Sequence, residues 1–149
     1  MIRPRRPADL RAVQQLLAAA SLPTTGIEAP GAEFLVAVAG ERVVGCAGLE
    51  RYGDVGLLRS VAVDPEWRGR GLGAGLTRRV LAVAKQRGIV RIYLLTETAA
   101  QYFHAFGFRV IPRSEADPAV QGSAEFTELC PASATLMVRE QGGEDVAVP

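Results

Sequence analysis

Two of the 149 residues are cysteine and one is histidine. Cys46 and Cys130 stand far apart, so they outline neither a disulfide framework nor a metal-ligand spacing. Reduced thiols are the expectation, and no metal is implied. Cys130 precedes Pro131 in a loop-like run, and with no histidine set out as its partner a nucleophilic role is not expected. His104, the single histidine, falls on a helix, where such a residue is more often structural or exposed than catalytic. Neither sign of charge dominates. Seventeen basic residues face 16 acidic ones, a net charge of +1, which gives no global attraction to nucleic acid or to a membrane surface. No patch interleaves basic and aromatic residues. No apolar run approaches a membrane span. The N-terminal arginines are not followed by an apolar core segment, so no signal peptide is expected and a cytoplasmic protein is. Repeats, low-complexity blocks and linkers are missing as well.

The length suits one domain with a real core, and 48% hydrophobic with 22% charged residues is ordinary. Residues 1–140 are expected to form it, with the tail 141–149 frayed. Leu10, Val13, Leu16 and Leu17 predict an amphipathic helix over Ala8–Ala20, with Pro7 suited to its start. Ser21–Ala32, with Pro23, Gly26 and Pro30, reads as a loop. Phe34–Val38, Arg42–Arg51 and Val55–Val63 read as successive strands joined by turns at Gly40-Glu41 and Gly53-Asp54. A long helix over Gly71–Arg87 follows, then a strand Arg91–Thr96, a short helix Thr98–Phe106 closed by Gly107, a strand from Arg109 stopped by Pro112, and a last strand Ala134–Arg139. This order predicts a mixed α/β sheet, antiparallel early and crossing over later. The last strands offer a route to a homodimer.

The most informative stretch is Arg68-Gly69-Arg70-Gly71-Leu72-Gly73-Ala74, between a strand and a helix. Glycines at a helix start let backbone N–H groups approach a ligand closely, and the helix dipole favours an anion there. Arg68 and Arg70 add charge, so the stretch reads as a pyrophosphate cradle. A Walker A loop would need Gly-Lys followed by Ser or Thr, and no such run exists. The dinucleotide fingerprint G-x-G-x-x-A is formally satisfied by Gly69–Ala74. Its strand should run almost directly into the glycines, however, and Asp64–Arg68 intervenes; 68 residues also precede a motif that normally opens its domain.

A third owner accounts for more of the chain. Val61-Ala62-Val63-Asp64-Pro65-Glu66-Trp67-Arg68-Gly69-Arg70-Gly71-Leu72-Gly73 resembles the acetyl-CoA signature of the GNAT N-acetyltransferases: Arg or Gln, two residues, Gly, one residue, Gly or Ala. Thr96, Ala99, Phe103 and Gly107-Phe108 have the spacing of that superfamily's second signature. The resemblance covers about residues 3–139, essentially the whole domain. Within the superfamily, Glu50–Gly53, Leu57–Ser60, Leu94–Thr96 and Glu125–Pro131 are similar to the small N-acetyltransferases found with bacterial arsenic-resistance genes. The same skeleton is similar to the acetyltransferase domain of N-acetylglutamate synthases. The resemblance implies a GNAT fold, acetyl-CoA as co-substrate, and a small amino-acid-like acceptor.

Acetyl transfer needs a held thioester, a neutral amine, a stabilised oxyanion and a departing thiolate. The resemblance implies that residues 68–74 hold the pyrophosphate, that Val61, Ala62 and Val63 take the pantetheine arm on their backbone, and that Thr96 and Phe103 belong to the cofactor site. Many GNATs carry a tyrosine at the position of Phe103, which cannot donate a proton; Tyr102 is adjacent but about 100° away around the helix. A free thiol has a pKa of about 8.5, so a thiolate leaves fairly well without help. Glu50 is the candidate base and Tyr102 the candidate acid, with Glu125 and Glu128 as second choices for the base. Arg59 and Ser60 sit on the cofactor strand, where strand alternation would turn them to opposite faces. Arg59 could fork onto a carboxylate of an acidic acceptor, aided by Ser60 and by Ser133 near the last strand, or could pair with Glu50 across the hairpin. Pro131 stands where the synthase pattern has an arginine, which argues against glutamate itself. Protein N-acetylation, decided by the Ser21–Ala32 loop, and a non-catalytic acetyl-CoA sensor are the competing functions.

Overall fold

The computed structural model describes residues 1–124, 126 and 133–141. It resolves into two compact units, Met1–Glu50 with Leu58–Ala84, and Arg51–Leu57 with Lys85–Pro149.

The first unit holds β1 (Ile2–Pro4), α1 (Leu10–Ala19), β2 (Ala32–Ala39), nearly all of β3 (Arg42–Tyr52), the larger part of β4 (Val55–Val63) and nearly all of α2 (Leu72–Gln86). The strand order is β1-β2-β3-β4. β1 lies antiparallel to β2, with Ile2 opposite Ala37. β2 and β3 form a hairpin from Ala32 opposite Glu50 to Ala39 opposite Arg42, with a register shift at Ala37/Val38. The core follows from apolar spacing: Val13 and Leu17, one helical turn apart on α1, meet Ile27, Phe34, Val36, Cys46 and Ala62. Within the hairpin, Phe34 lies opposite Gly48, and its ring spreads across the glycine. A Cβ at Gly48 would come within 2.5–2.8 Å of three ring carbons.

The start of α1 is fixed by polar bonds. Arg3 donates to both oxygens of Asp9 at 2.7 and 3.2 Å, and the Arg6 N–H donates to the same carboxylate at 2.8 Å. The Arg3 guanidinium is the main reason the Asp9 carboxyl titrates below its ordinary range; the Arg6 N–H adds to the effect and outweighs part of the opposing burial.

The second unit contains the parallel pairing. Val55, Gly56 and Leu57 of β4 lie beside Arg91, Ile92 and Tyr93 of β5 (Arg91–Thr96). β7 (Thr135–Glu140) runs antiparallel to β5 from Thr96 opposite Thr135 to Arg91 opposite Glu140, and β6 (Arg109–Val110) pairs with β7, giving the order β4-β5-β7-β6. Val55, Leu57, Tyr93, Ile111, Ala116, Val120, Leu136 and Val138 form its core. α3 (Ala100–His104) and α4 (Pro118–Gln121) are single turns or little more.

The fold is the mixed α/β arrangement the element order predicts, antiparallel first with a parallel pair later. Strand bounds Val55–Val63 and Arg91–Thr96 coincide with the reading. β1 and α4 lie outside the sequence expectation, because three and four residues carry no usable periodicity. Gln141, assigned to the tail, is buried and donates its N–H to Val90 O at 2.7 Å; residues 142–149 lie outside the described residues. Among the described residues, no helix is long and apolar enough to cross a membrane.

Candidate functional site

In the first unit, β4 delivers the chain into a braced hook. Asp64 takes its own N–H to Val44 O at 2.8 Å and caps the turn Pro65–Trp67 by accepting from the Glu66 N–H at 2.9 Å. Its other oxygen accepts from Arg42 Nη2 at 2.7 Å. Both arginines of the cradle then fold back onto this hook. Arg68 Nε donates to Val63 O at 3.2 Å, and Arg70 Nη2 donates to Glu66 O at 3.3 Å while its guanidinium carbon stands 4.4 Å from the Trp67 ring centre. Asp64 before Pro65 is a common cap arrangement, its side chain bonding the next turn while Pro starts it.

Gly69 and Gly71 adopt φ of +78° and +81°, and nothing lies within 4 Å of where a Cβ would stand. The left-handed backbone, not crowding, is what demands glycine at both. The first bond of α2 runs from Gly75 N–H to Gly71 O at 2.9 Å. The N–H groups of Leu72, Gly73 and Ala74 therefore have no carbonyl one turn earlier in the helix to bond. They face the N-terminal end of a 15-residue helix, where an anion is favoured. Thr77 Oγ1 donates to Gly73 O at 2.9 Å and secures this turn from within.

Upstream on β4, Ala62 is buried while Val61 and Val63 are half-buried. Ser60 has φ of +63°, the left-handed region, in the middle of a strand. This kink breaks the alternation expected for Arg59 and Ser60. The two side chains meet instead of pointing to opposite faces, with Arg59 Nε donating to Ser60 Oγ at 2.8 Å. Arg59 Nη1 donates to Glu50 Oε2 at 2.7 Å and Nη2 to the Thr25 carbonyl at 2.8 Å. Its side chain is 1% exposed and that of Glu50 is 14% exposed. The guanidinium also stands 5.6 Å from the Phe34 ring centre. Glu50, Arg59 and Ser60 thus form one buried network that ties the loop after α1 to the sheet, and the Glu50–Arg59 pair weighed from the sequence is formed. Cys46 Sγ lies 3.4 Å from Ser60 O as a donor, and burial pushes its thiol up to about 12.

In the second unit, Thr96 closes β5 and its Oγ1 accepts from the Ala99 N–H at 3.0 Å, leading the chain into α3. Phe103 is 8% exposed and meets Phe108 edge-on at 6.0 Å, whereas Tyr102 is 39% exposed and lies against Phe103 and Phe106 at 5.0 and 5.3 Å. The hydroxyl-bearing ring of α3 is therefore the outward one. Gly107, at φ +91°, turns the chain; His104 Nδ1 lies 3.2 Å from Phe108 O, and Arg139 Nε donates to Phe106 O at 2.8 Å. His104 and Arg139 brace this turn. Ser133 is exposed in a turn before β7. Glu125, Glu128, Cys130 and Pro131 lie outside the described residues.

Comparison with known proteins places these features in context. The family model described as "Acetyltransferase (GNAT) family" matches residues 5–108. An amino-acid acetyltransferase of Mycobacterium tuberculosis (strain ATCC 25618 / H37Rv) is 36% identical over 91 residues, 60% of this chain and 48% of that protein. An amino-acid acetyltransferase of Escherichia coli K12 is 30% identical over 78 residues, 51% of this chain and 18% of that one. The chain thus spans less than half the length of these curated relatives. Among solved structures, Rv2747 from Mycobacterium tuberculosis in complex with CoA and NLQ superposes with a TM-score of 0.79 at 27% identity, covering 94% of this chain and 98% of that one. The N-acetylglutamate synthase of Neisseria gonorrhoeae, complexed with coenzyme A and N-acetyl-glutamate, shares the fold: TM-score 0.77, 20% identity, covering 95% of this chain and 35% of that chain.

Proposed function

The chain belongs to the acetyltransferase (GNAT) family, and on that footing we propose that it transfers acetyl from acetyl-CoA to the amine of a small, acidic, amino-acid-like acceptor by direct attack in a ternary complex. The observation that carries this reading is the cradle at 68–74, with left-handed Gly69 and Gly71, open helix-start N–H groups and two arginines. Its donor set suits a diphosphate. The amino-acid acetyltransferase relatives and the neighbour solved with CoA and NLQ support the acceptor class.

On this reading Arg68–Ala74 hold the diphosphate and the backbone of Val61, Ala62 and Val63 takes the pantetheine arm, while Thr96 and Phe103 keep the cofactor-contact role that the second signature implies for them. Glu50 removes the amine proton, directly or through water, and Tyr102 supplies a proton to the departing sulfur. Ser133 addresses the acceptor's acidic group, whereas Arg59 and Ser60, expected from the sequence to touch it, are buried in the network with Glu50 and Thr25 and act on the acceptor through Glu50. The arsenic-resistance setting belongs to this reading as one source of such an acceptor.

A thiol-release assay with acetyl-CoA and a panel of amino acids tests it. Turnover with acidic members is expected, falling about 10²-fold in kcat for Tyr102→Phe, the usual worth of a general acid. Tight CoA binding with no turnover on any small amine would overturn it and favour a sensor.

A further inference from the structure

The hook before the cradle contains a contact that the reading above leaves unused. Trp67 sits on the turn Pro65–Trp67, which Asp64 caps and Arg42 anchors. Arg70 lies across its ring at 4.4 Å with Nη2 on Glu66 O at 3.3 Å. Arg70 itself is exposed at the mouth of the glycine loop. An exposed arginine normally samples many rotamers and loses that freedom when it grips an anion. Here one ring and one carbonyl hold it before any anion arrives, and they occupy one face and one N–H of a five-donor group. Arg70 precedes the helix-start N–H groups of Leu72, Gly73 and Ala74 by two to four residues in the chain.

We propose that Trp67 is a positioning residue for CoA binding: its ring holds the Arg70 guanidinium at the cradle, where Arg70 takes a phosphate of the nucleotide. The inference rests on the cradle reading above. Its energetic content is that of an exposed cation–π contact plus the ordering it removes, which translates to about a two- to five-fold change in Kd.

Calorimetric titration with CoA and with dephospho-CoA tests it on the full chain, in wild type, Trp67→Leu, Trp67→Phe, Arg70→Gln and the double variant Trp67→Leu/Arg70→Gln. Trp67→Leu should weaken CoA by about two- to five-fold, and Trp67→Phe, which keeps a ring, by less. Arg70→Gln should weaken it further, and in that background Trp67→Leu should add nothing. This non-additivity is what a merely structural tryptophan would not produce. If dephospho-CoA shows the same losses, the phosphate is in the diphosphate; if the losses vanish, it is the 3′-phosphate, and either result supports the role. Unchanged CoA affinity in Trp67→Leu, or losses that add in the double variant, would overturn it. Wild-type protein that binds no CoA would instead bring down the cradle reading, and this inference with it.

Discussion

Replacing Arg59 by methionine tests how the buried network contributes to stability. Methionine keeps much of the length and apolar stem of arginine, so the change removes charge and donors more than volume. What it leaves behind is Glu50, whose oxygen loses a 2.7 Å partner while its side chain is only 14% exposed. Ser60 Oγ and the Thr25 carbonyl each lose a donor at 2.8 Å. Removing one partner of a buried ion pair costs about 3–5 kcal/mol. Glu50 keeps some access to water and Thr25 is exposed, which points to the lower end, about 3 kcal/mol. For a chain of this size that is a fall of roughly 6–12 °C in Tm. Urea unfolding at pH 7 measures it. Adding Glu50→Leu should recover most of the loss, since an apolar pair carries no uncompensated charge. A loss under about 1 kcal/mol in Arg59→Met, or a double variant as unstable as the single one, would refute the argument. Acceptor KM measured on Arg59→Met alone separates the two roles of Arg59: a role in acceptor binding requires a rise in acceptor KM with CoA affinity unchanged.

Three further outcomes follow from the same structure. Cys46 should resist alkylation in the native protein up to about pH 9 and react once unfolded, as peptide mapping would report; because its folded pKa is raised to about 12, it should also draw stability down as pH rises from about 9 towards 12, by at most about 1.4 kcal/mol per pH unit. Asp9 has a lowered folded pKa, so its contribution is present above the ordinary carboxylate range and fades as pH falls through it; the stability gap between wild type and Asp9→Asn should narrow below about pH 4. Gly71→Ala forces a side chain to φ +81° with open space around it, so it should lower stability by about 1–2 kcal/mol through backbone strain alone and weaken CoA binding in the same calorimetric assay.

The cradle was legible because its chemistry is written in consecutive residues: glycines where the backbone must turn left-handed, and arginines beside a helix start. The strands Val55–Val63 and Arg91–Thr96 were legible for a similar reason, since largely apolar, β-branched-rich segments bounded by Gly53-Asp54 and Asp64-Pro65, or by Arg91 and Thr96, leave little choice of boundary. What failed to show was anything set by a single unusual torsion. Ser60 is an ordinary serine in a strand-forming run, and only its φ of +63° brings its hydroxyl to Arg59. Strand alternation gives the opposite answer there. The Trp67–Arg70 stack lies three residues apart in an irregular segment, where no periodicity tells which side chains meet. The Thr25 carbonyl that receives Arg59 is a backbone group from 34 positions away, to which no residue type could point.

The Phe34 ring lying across Gly48 ties two positions of the chain into one unit of variation. Any side chain at 48 needs the space the ring now fills, with clearances of 2.5–2.8 Å to yield. A larger residue at 48 is therefore tolerable only in descendants whose residue 34 has already shrunk, and the order of the two changes matters. Gly48→Ala alone passes through an overpacked intermediate, at a cost of about 1–3 kcal/mol, whereas Phe34→Leu first opens the room. Related sequences should accordingly vary at these two sites together, with bulk conserved across the pair rather than at either position.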